Sequence, residues 1–255
     1  MNPRARGALF GVGAVGLGLS LLAAVRGLPA MDQGHSAYGD AVNATTVPLR
    51  QTVNAVAAVT FDYRGFDTLG EEFILFAAVM GVTLLLRERR TEEDSGLRGG
   101  MRVGAEPPGT TDALRVWTLA QVAPGLLLGL YVVVHGHLSP GGGFQGGVVL
   151  AGAAALVFLA GASWRTRRLN PMALLDGLEG LGVAGFAGVG LLGMLLAGQE
   201  FLRNVLPLGT RGELPSAGQV PLLNGFVGLA VSAGIILILA ELLDQTLVDR
   251  RKGDA

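Results

Sequence analysis

FDYRGFDTLGEEFILFAAVMGVTLLL, residues 61–86, changes character in the middle. Asp62, Arg64, Asp67, Glu71 and Glu72 crowd its first half, and no charge follows Glu72 as far as Leu86. The apolar run Leu69 to Leu86 would be about 27 Å long as a helix at ~1.5 Å per residue, close to the ~30 Å depth of a hydrocarbon layer. Inside lipid a lone segment satisfies its own backbone N–H and C=O groups only as a helix. The stretch therefore predicts a transmembrane helix entered through a charged threshold.

Five further runs have crossing length: Ala8 to Val25, Val116 to Val134, Gly147 to Ala162, Leu181 to Gly198 and Leu222 to Leu243. The fold class expected is all-α, a polytopic integral membrane protein of about six transmembrane helices. Composition agrees, because only 15% of the 255 residues are charged, against about a quarter in a soluble domain, and the mean hydropathy is +0.51. The chain has no cysteine, which excludes disulfide and thiolate chemistry, and its net charge of -1 offers no basic surface to nucleic acid.

Six crossings put both termini on one side. Arg4 and Arg6, the group Arg87 to Arg115, Arg165 to Arg168 and Arg250 to Lys252 hold 14 of the 19 basic residues, and Arg26, Arg50, Arg64, Arg203 and Arg211 fall in the opposite loops. The positive-inside rule then places both termini in the cytoplasm. A signal peptide is the alternative for the first run, but its apolar stretch exceeds the usual core of about 7 to 15 residues, so a retained anchor is expected. Val47 to Phe61, too short to span and with Leu49, Val53, Val56 and Val59 at helical spacing, reads as an outer interfacial or re-entrant helix. Glu88 to Asp112, with Pro107-Pro108-Gly109, reads as a solvated linker. The expected organisation is a two-span module over 1–90, a cytoplasmic linker over 91–113 and a four-span domain over 114–255.

Small residues recur every four positions at Gly147/Ala151/Ala155 and Gly180/Ala184/Gly188. Such stripes let membrane helices approach closely, within this chain or against other membrane subunits.

Charges at membrane depth need a reason. In the threshold, Thr68 and Glu71 have capping-box spacing, each satisfying an orphan amide of the first turn. That leaves Glu72 without a role and leaves Asp62, Arg64 and Asp67 to pair internally or with a neighbouring subunit. The functional alternative is a cation or proton relay through Glu71 or Glu72. A second segment, HGHLSPGGGFQGG at residues 135–147, joins the third and fourth runs. Its glycines suit a broken backbone at the membrane edge, as a filter or a subunit contact. With no following Lys-Ser/Thr it is not a phosphate loop, and two imidazoles without a nearby Cys or Glu are too few donors for zinc. His137 is a candidate proton carrier. Asp176/Glu179 and Glu241/Asp244 are i, i+3 pairs, with Glu179 and Glu241 nearer the membrane, facing a hydrated interface or a half-channel. No catalytic constellation appears, so neither enzymatic activity, a cofactor nor a metal is expected.

Together the two segments resemble the multisubunit Mrp-type sodium/proton antiporters and the related membrane arms of energy-converting hydrogenases. Phe61 to Glu71 is similar to the D-[FY]-R-G-[FY]-D-T-L-G-E signature at the tail of the large antiporter subunit or in a separate small hydrogenase-arm subunit. Gly136 to Gly147 is similar to the G-H-x-x-P-G-G-G-F-x-G-G signature of the MrpB (MnhB) family. The resemblance covers Val42 to Arg90 and Val116 to about Leu243, so the chain looks like a fusion of two neighbouring small subunits. It maps the first signature onto Arg64, Gly65, Asp67, Thr68, Gly70 and Glu71, and the second onto His137, Pro140, Gly141, Gly142, Gly143, Phe144, Gly146 and Gly147. It implies a non-catalytic subunit of a complex that exchanges sodium or another monovalent cation for protons. The large subunits would carry the main proton path, and this one would serve assembly and the cation-conducting region. Arg64, Asp67, Glu71, Glu72, His137, Glu179 and Glu241 are then the candidates for an ion path or a subunit seam, and the implied partners are other membrane subunits, the lipid bilayer, Na+ and H+. Leu223-Asn224-Gly225 departs from the Phe-Asp common in antiporter relatives, and Ala217 to Asn224 is closer to the hydrogenase arms. A redox-linked complex is the first alternative, and a self-contained channel with Pro140 to Gly147 as filter is the second.

Overall fold

A computed structural model of the protein describes residues 3–28, 36–86, 111–160, 171–198 and 200–253. The described residues form helices α1 (Pro3–Arg26), α2 (Ala37–Arg50), α3 (Ala55–Ala58), a π-helical turn (Val59–Tyr63), α4 (Gly65–Leu86), α5 (Asp112–Val134), α6 (Gly143–Leu159), α7 (Pro171–Ala197) and α8 (Val220–Gly253), with no strand among them. Four are long and apolar enough to cross a bilayer: Gly65–Leu86, Asp112–Val134, Met172–Ala197 and Val220–Leu243. Two shorter apolar helices, Phe10–Arg26 and Gly143–Leu159, account for the other two runs. The all-α, polytopic reading therefore stands. Residues 91–110 of the expected linker, and Arg87 to Arg102 and Arg165 to Arg168 of the basic clusters, lie outside the described residues.

Contacts divide the chain after Val42. In the first unit, α1 leaves apolar side chains such as Phe10, Val12, Val15 and Leu17 exposed, as suits a helix whose surroundings are lipid or other helices. In the second unit, α8 is the hub, packing against α4, α5, α6 and α7. Leu223, Val227, Ala230, Val231, Ala233 and Leu237 are all buried on it, while Leu222 and Leu242 stay exposed. The other helices bury one stripe each. On α4 the stripe is Gly65, Thr68, Glu72 and Val79, at the helical spacing that puts them on one face, while Phe73, Ile74 and Leu85 are exposed.

Small residues make the close approaches, as membrane packing requires. Gly147 and Ala151 of α6 are buried, and a Cβ built at Gly147 would lie 2.8 Å from Val231 Cβ of α8. The stripe Gly180/Ala184/Gly188 does not do this work. Ala184 is exposed and a Cβ at Gly180 or Gly188 would meet nothing within 4 Å. Instead α7 turns Gly182 and Gly185 under Phe226 of α8 and packs Phe186 and Val189 into the core.

The expected outer helix over Val47 to Phe61 is broken in two. Ahead of it, α2 begins at Ala37 and ends at Arg50. Residues 51–54 are not helical, and Gln51 has φ +53°. Asn54 starts α3 afresh, its side-chain oxygen accepting from the amides of Val56 (3.0 Å) and Ala57 (3.3 Å). The break frees residues 52–54 to bond a distant loop.

Candidate functional site

Two polar constructions occupy the second unit. The first is a pair of carboxylates inside the bundle. Glu72 of α4 is fully buried, and neither of its carboxylate oxygens has a hydrogen-bond partner. Glu179 of α7 is also buried, with Oε1 unpartnered. The two interact electrostatically, and Gly234 of α8 makes room for them: a Cβ there would lie 2.9 Å from Glu179 Oε1 and 3.0 Å from Cγ2 of Val79, which shares the Glu72 face of α4. A carboxylate buried without a donor is costly when charged, so each needs a proton or cation from outside the set. Glu71, one residue before Glu72, is exposed. Glu241 is half-buried on α8, two turns beyond Gly234 on the same face.

The expected capping box is absent. Helix α4 begins at Gly65, so Thr68 sits inside it and donates its hydroxyl to the Thr60 carbonyl at 2.6 Å, tying the helix to the preceding π turn. Arg64 pairs with Asp67 one turn on, both exposed, a surface bridge of small energetic value. Asp62 pairs instead with Arg50, whose guanidinium lies 5.4 Å from the Tyr63 ring centroid. Burial pushes the Asp62 carboxyl above the usual range, and Arg50 pulls it back only in part.

The second construction is a clasp between residues 52–54 and the glycine loop. The carbonyl of His137 accepts from the Thr52 hydroxyl (2.7 Å) and from the amides of Val53 and Asn54 (3.2 Å each). The Asn54 amide group donates to the carbonyls of Gly136 (2.7 Å) and Ser139 (2.9 Å). The His137 ring is buried, with Nε2 donating to the Leu214 carbonyl at 3.1 Å and Nδ1 unpartnered. Burial holds its pKa below the ordinary histidine value, in the neutral form. On the far side of the loop, Asn224 of α8 accepts from the amide of Gly143 at 2.7 Å, satisfying one of the orphan donors at the start of α6.

Gly142 has φ +149° and ψ -165°, a region essentially reserved for glycine, and its Cβ would fall 2.8 Å from Asn224 Oδ1. Gly143, Gly146 and Gly147 are buried against α5 and α8, Phe144 packs on the core, and Pro140 is exposed.

The two sequence segments thus meet, through residues lying just before the first one. Thr52, Asn54, Asn224, and the pair Asn204 and Gln219 described below, were not among the expected site residues. The signal was available for Asn224, an amide at the start of an apolar run, and for Asn54, polar among valines and alanines. Among the described residues no three His, Cys, Asp or Glu side chains gather as metal ligands.

A domain related to the MnhB subunit of Na+/H+ antiporters matches residues 113–237. An uncharacterized protein of Methanocaldococcus jannaschii is 31% identical over 204 residues, 71% of this chain and 74% of that protein. A probable K(+)/H(+) antiporter A/B-type subunit of Rhizobium meliloti is 27% identical over 206 residues, 73% of this chain but only 20% of that much longer protein. Among solved structures, a chain of the membrane-bound sulfane sulfur reductase, an archaeal respiratory membrane complex, superposes with a TM-score of 0.71 at 27% identity, covering 94% of this chain and 98% of that one. A chain of the Mrp complex from Dietzia sp. DQ12-45-1b shares the fold, with a TM-score of 0.70 at 24% identity over 95% of this chain and 26% of that one.

Proposed function

We propose, on the premise that this chain belongs to the family related to the MnhB subunit of Na+/H+ antiporters, that it is a non-catalytic membrane subunit of a multisubunit monovalent cation (Na+)/proton antiporter. It contributes to assembly with other membrane subunits and, through Glu72 and Glu179, to the ion path. The observation that carries this reading is Glu72, wholly buried in a helix of crossing length with both oxygens unpartnered and a second carboxylate on another such helix. Ionisable groups so placed mark ion and proton routes in membrane proteins. The exposed groups Arg64, Asp67 and Glu71 belong to the seam with a neighbouring subunit. Both termini lie in the cytoplasm of a prokaryotic cell, with the clasp on the outer face.

The test uses the assembled complex in proteoliposomes. Glu72→Gln and Glu179→Gln are expected to leave the complex intact and to lose most of the cation-driven proton exchange. Glu71→Gln should lower the yield of complex rather than the rate per complex. Normal exchange in both Glu72→Gln and Glu179→Gln would remove the carboxylate pair from the mechanism.

A second reading has its own support: the near-complete coverage of the sulfane sulfur reductase chain favours the same subunit type in the membrane arm of a redox complex. Redox subunits in a blue-native purification of the intact assembly would select that reading, and only antiporter subunits the first.

A further inference from the structure

The ion pair of Arg50 and Asp62 does not close the space around it. Arg50, Asp62, Asn204, Leu208, Gln219 and Val220 line a small cleft at the clasp end of the bundle, with room for about one water molecule. Two acceptors face it, the Asp62 carboxylate held by Arg50 and the unpartnered Oε1 of Gln219. Asp62 is removed from water to a degree that Arg50 does not offset. Gln219 is 2% exposed and donates its Nε2 to the Leu202 carbonyl, leaving Oε1 buried without a donor, an arrangement costing about 1–3 kcal/mol if nothing fills it. The amide oxygen of Asn204 is occupied, accepting from the amides of Gln219 (2.9 Å) and Leu206 (3.3 Å). The first amides of α8 are also spoken for, Val220 by Ala217 and Leu223 by Gln219. The cleft therefore presents oxygen, and its one positive group is the arginine arm, whose side chain is 39% exposed and reaches in from the last residue of α2.

We infer that this cleft binds one small monovalent cation between the carboxylate of Asp62 and the side-chain oxygen of Gln219, with Arg50 as a tethered competitor that withdraws when the cation enters. The inference rests on the antiporter reading and deepens it by naming an entry site. One carboxylate and one neutral oxygen supply a single negative charge, which suits a monovalent rather than a divalent ion. An anion would face the Asp62 carboxylate and the Gln219 oxygen and would have to compete with Asp62 for Arg50. Arg50 keeps the carboxylate covered while the site is empty, so no bare charge waits at the membrane rim. Asp62 lies one turn before α4, ten residues ahead of Glu72, or roughly 15 Å along a helix. An ion leaving the cleft is thus at the threshold of the interior carboxylates. Sodium and hydronium share the chemistry this site recognises.

The assembled complex in proteoliposomes provides the test, with sodium chloride titrated against choline chloride at fixed pH and, separately, pH varied at fixed sodium. Arg50→Gln removes the competitor and should lower the half-saturating cation concentration by about three- to tenfold, the range of a partly exposed ion pair. Asp62→Asn should raise it at least as much. Gln219→Glu, close to isosteric, adds negative charge at the site and should lower it, while the lost hydrogen bond to the Leu202 carbonyl lowers the melting temperature at every sodium concentration. The same order should appear in the sodium-dependent rise of the complex's melting temperature, which needs no turnover. Shifts confined to the sodium titration assign the site to sodium, and shifts confined to the pH titration assign it to hydronium. Unchanged half-saturation in all three variants, with melting temperatures lowered equally at every sodium concentration, would mean that the cleft holds only water and would overturn the proposal. If that result came while Glu72→Gln still abolished exchange, the antiporter reading would survive without this site. Shifted cation affinity together with normal exchange in Glu72→Gln and Glu179→Gln would leave the site and remove the interior route.

Discussion

Asn54→Ala tests the clasp most directly, because one side chain makes two of its bonds and also caps α3. Its Nδ2 donates to the carbonyls of Gly136 and Ser139 at 2.7 and 2.9 Å, and its Oδ1 accepts from the amides of Val56 and Ala57 at 3.0 and 3.3 Å. Loss of a helix cap costs about 1 kcal/mol, and each of the two loop bonds about 0.5–1.5 kcal/mol net. The backbone amides of Val53 and Asn54 and the Thr52 hydroxyl remain on His137, so the clasp is weakened rather than undone. Asn54 is only half-buried, which lets water recover part of the loss. A destabilisation of about 3 kcal/mol is expected, read from SDS-titrated unfolding of the full chain in mixed micelles followed by circular dichroism. Asn54→Asp separates the two roles: it keeps both cap acceptors, sets a carboxylate against two carbonyls, and should lose the loop share alone. An alanine variant within about 0.5 kcal/mol of the parent, the ordinary scatter of surface substitutions, would refute the idea that these bonds hold the two segments together.

Other outcomes can be checked alongside. Gly142→Ala places a Cβ at φ +149° and against Asn224 Oδ1, and should cost at least about 2 kcal/mol in the same unfolding assay. Asn224→Leu strands the buried amide of Gly143 at a cost of about 2–3 kcal/mol, whereas Asn224→Asp keeps the acceptor at the positive end of α6 and should be far milder. The His137 ring is held neutral below its ordinary value of 6.5. The unfolded chain therefore binds the proton first, so melting temperature should be flat above pH ~6.5 and fall as pH drops below it, and His137→Gln should flatten that acid limb. A tag after Gly212 should be labelled from outside intact cells and one after Ser95 only after permeabilisation; the reverse pattern would invert the orientation.

The spans were legible because crossing length is a one-dimensional property: Leu69 to Leu86 and Leu222 to Leu243 need no neighbour to be recognised. Their ends were not, since a helix continues past the hydrocarbon as long as its backbone can hydrogen-bond, and α7 starts ten residues before its apolar run. The facing of a glycine-rich helix was equally hidden. On α7 small residues lie on two faces, four apart at Gly180/Ala184/Gly188 and three apart at Gly182/Gly185, and only the position of Phe226 on another helix selects the second. Thr68 and Glu71 had capping-box spacing, yet the helix began earlier because the π turn before it supplied a carbonyl for the threonine. Glu72 and Glu179 were each singled out on charge at depth alone. Their proximity comes from the packing of α4 and α7 on a third helix, where Gly234 leaves space for Glu179 and Val79, and no local pattern encodes it.

The helix against which α4, α5, α6 and α7 pack is the last of the described helices in chain order. A nascent chain inserting from its N-terminus must hold Glu72, Glu179 and the bare amide of Gly143 in the bilayer before Val220 to Leu237 emerge to cover them. The earlier segments are therefore a waiting half-shell, and an insertase or neighbouring subunit that shields them is expected to raise the yield of the full chain. A ribosome stalled before residue 220 should leave a fragment that is membrane-inserted, protease-sensitive at the clasp and quickly degraded.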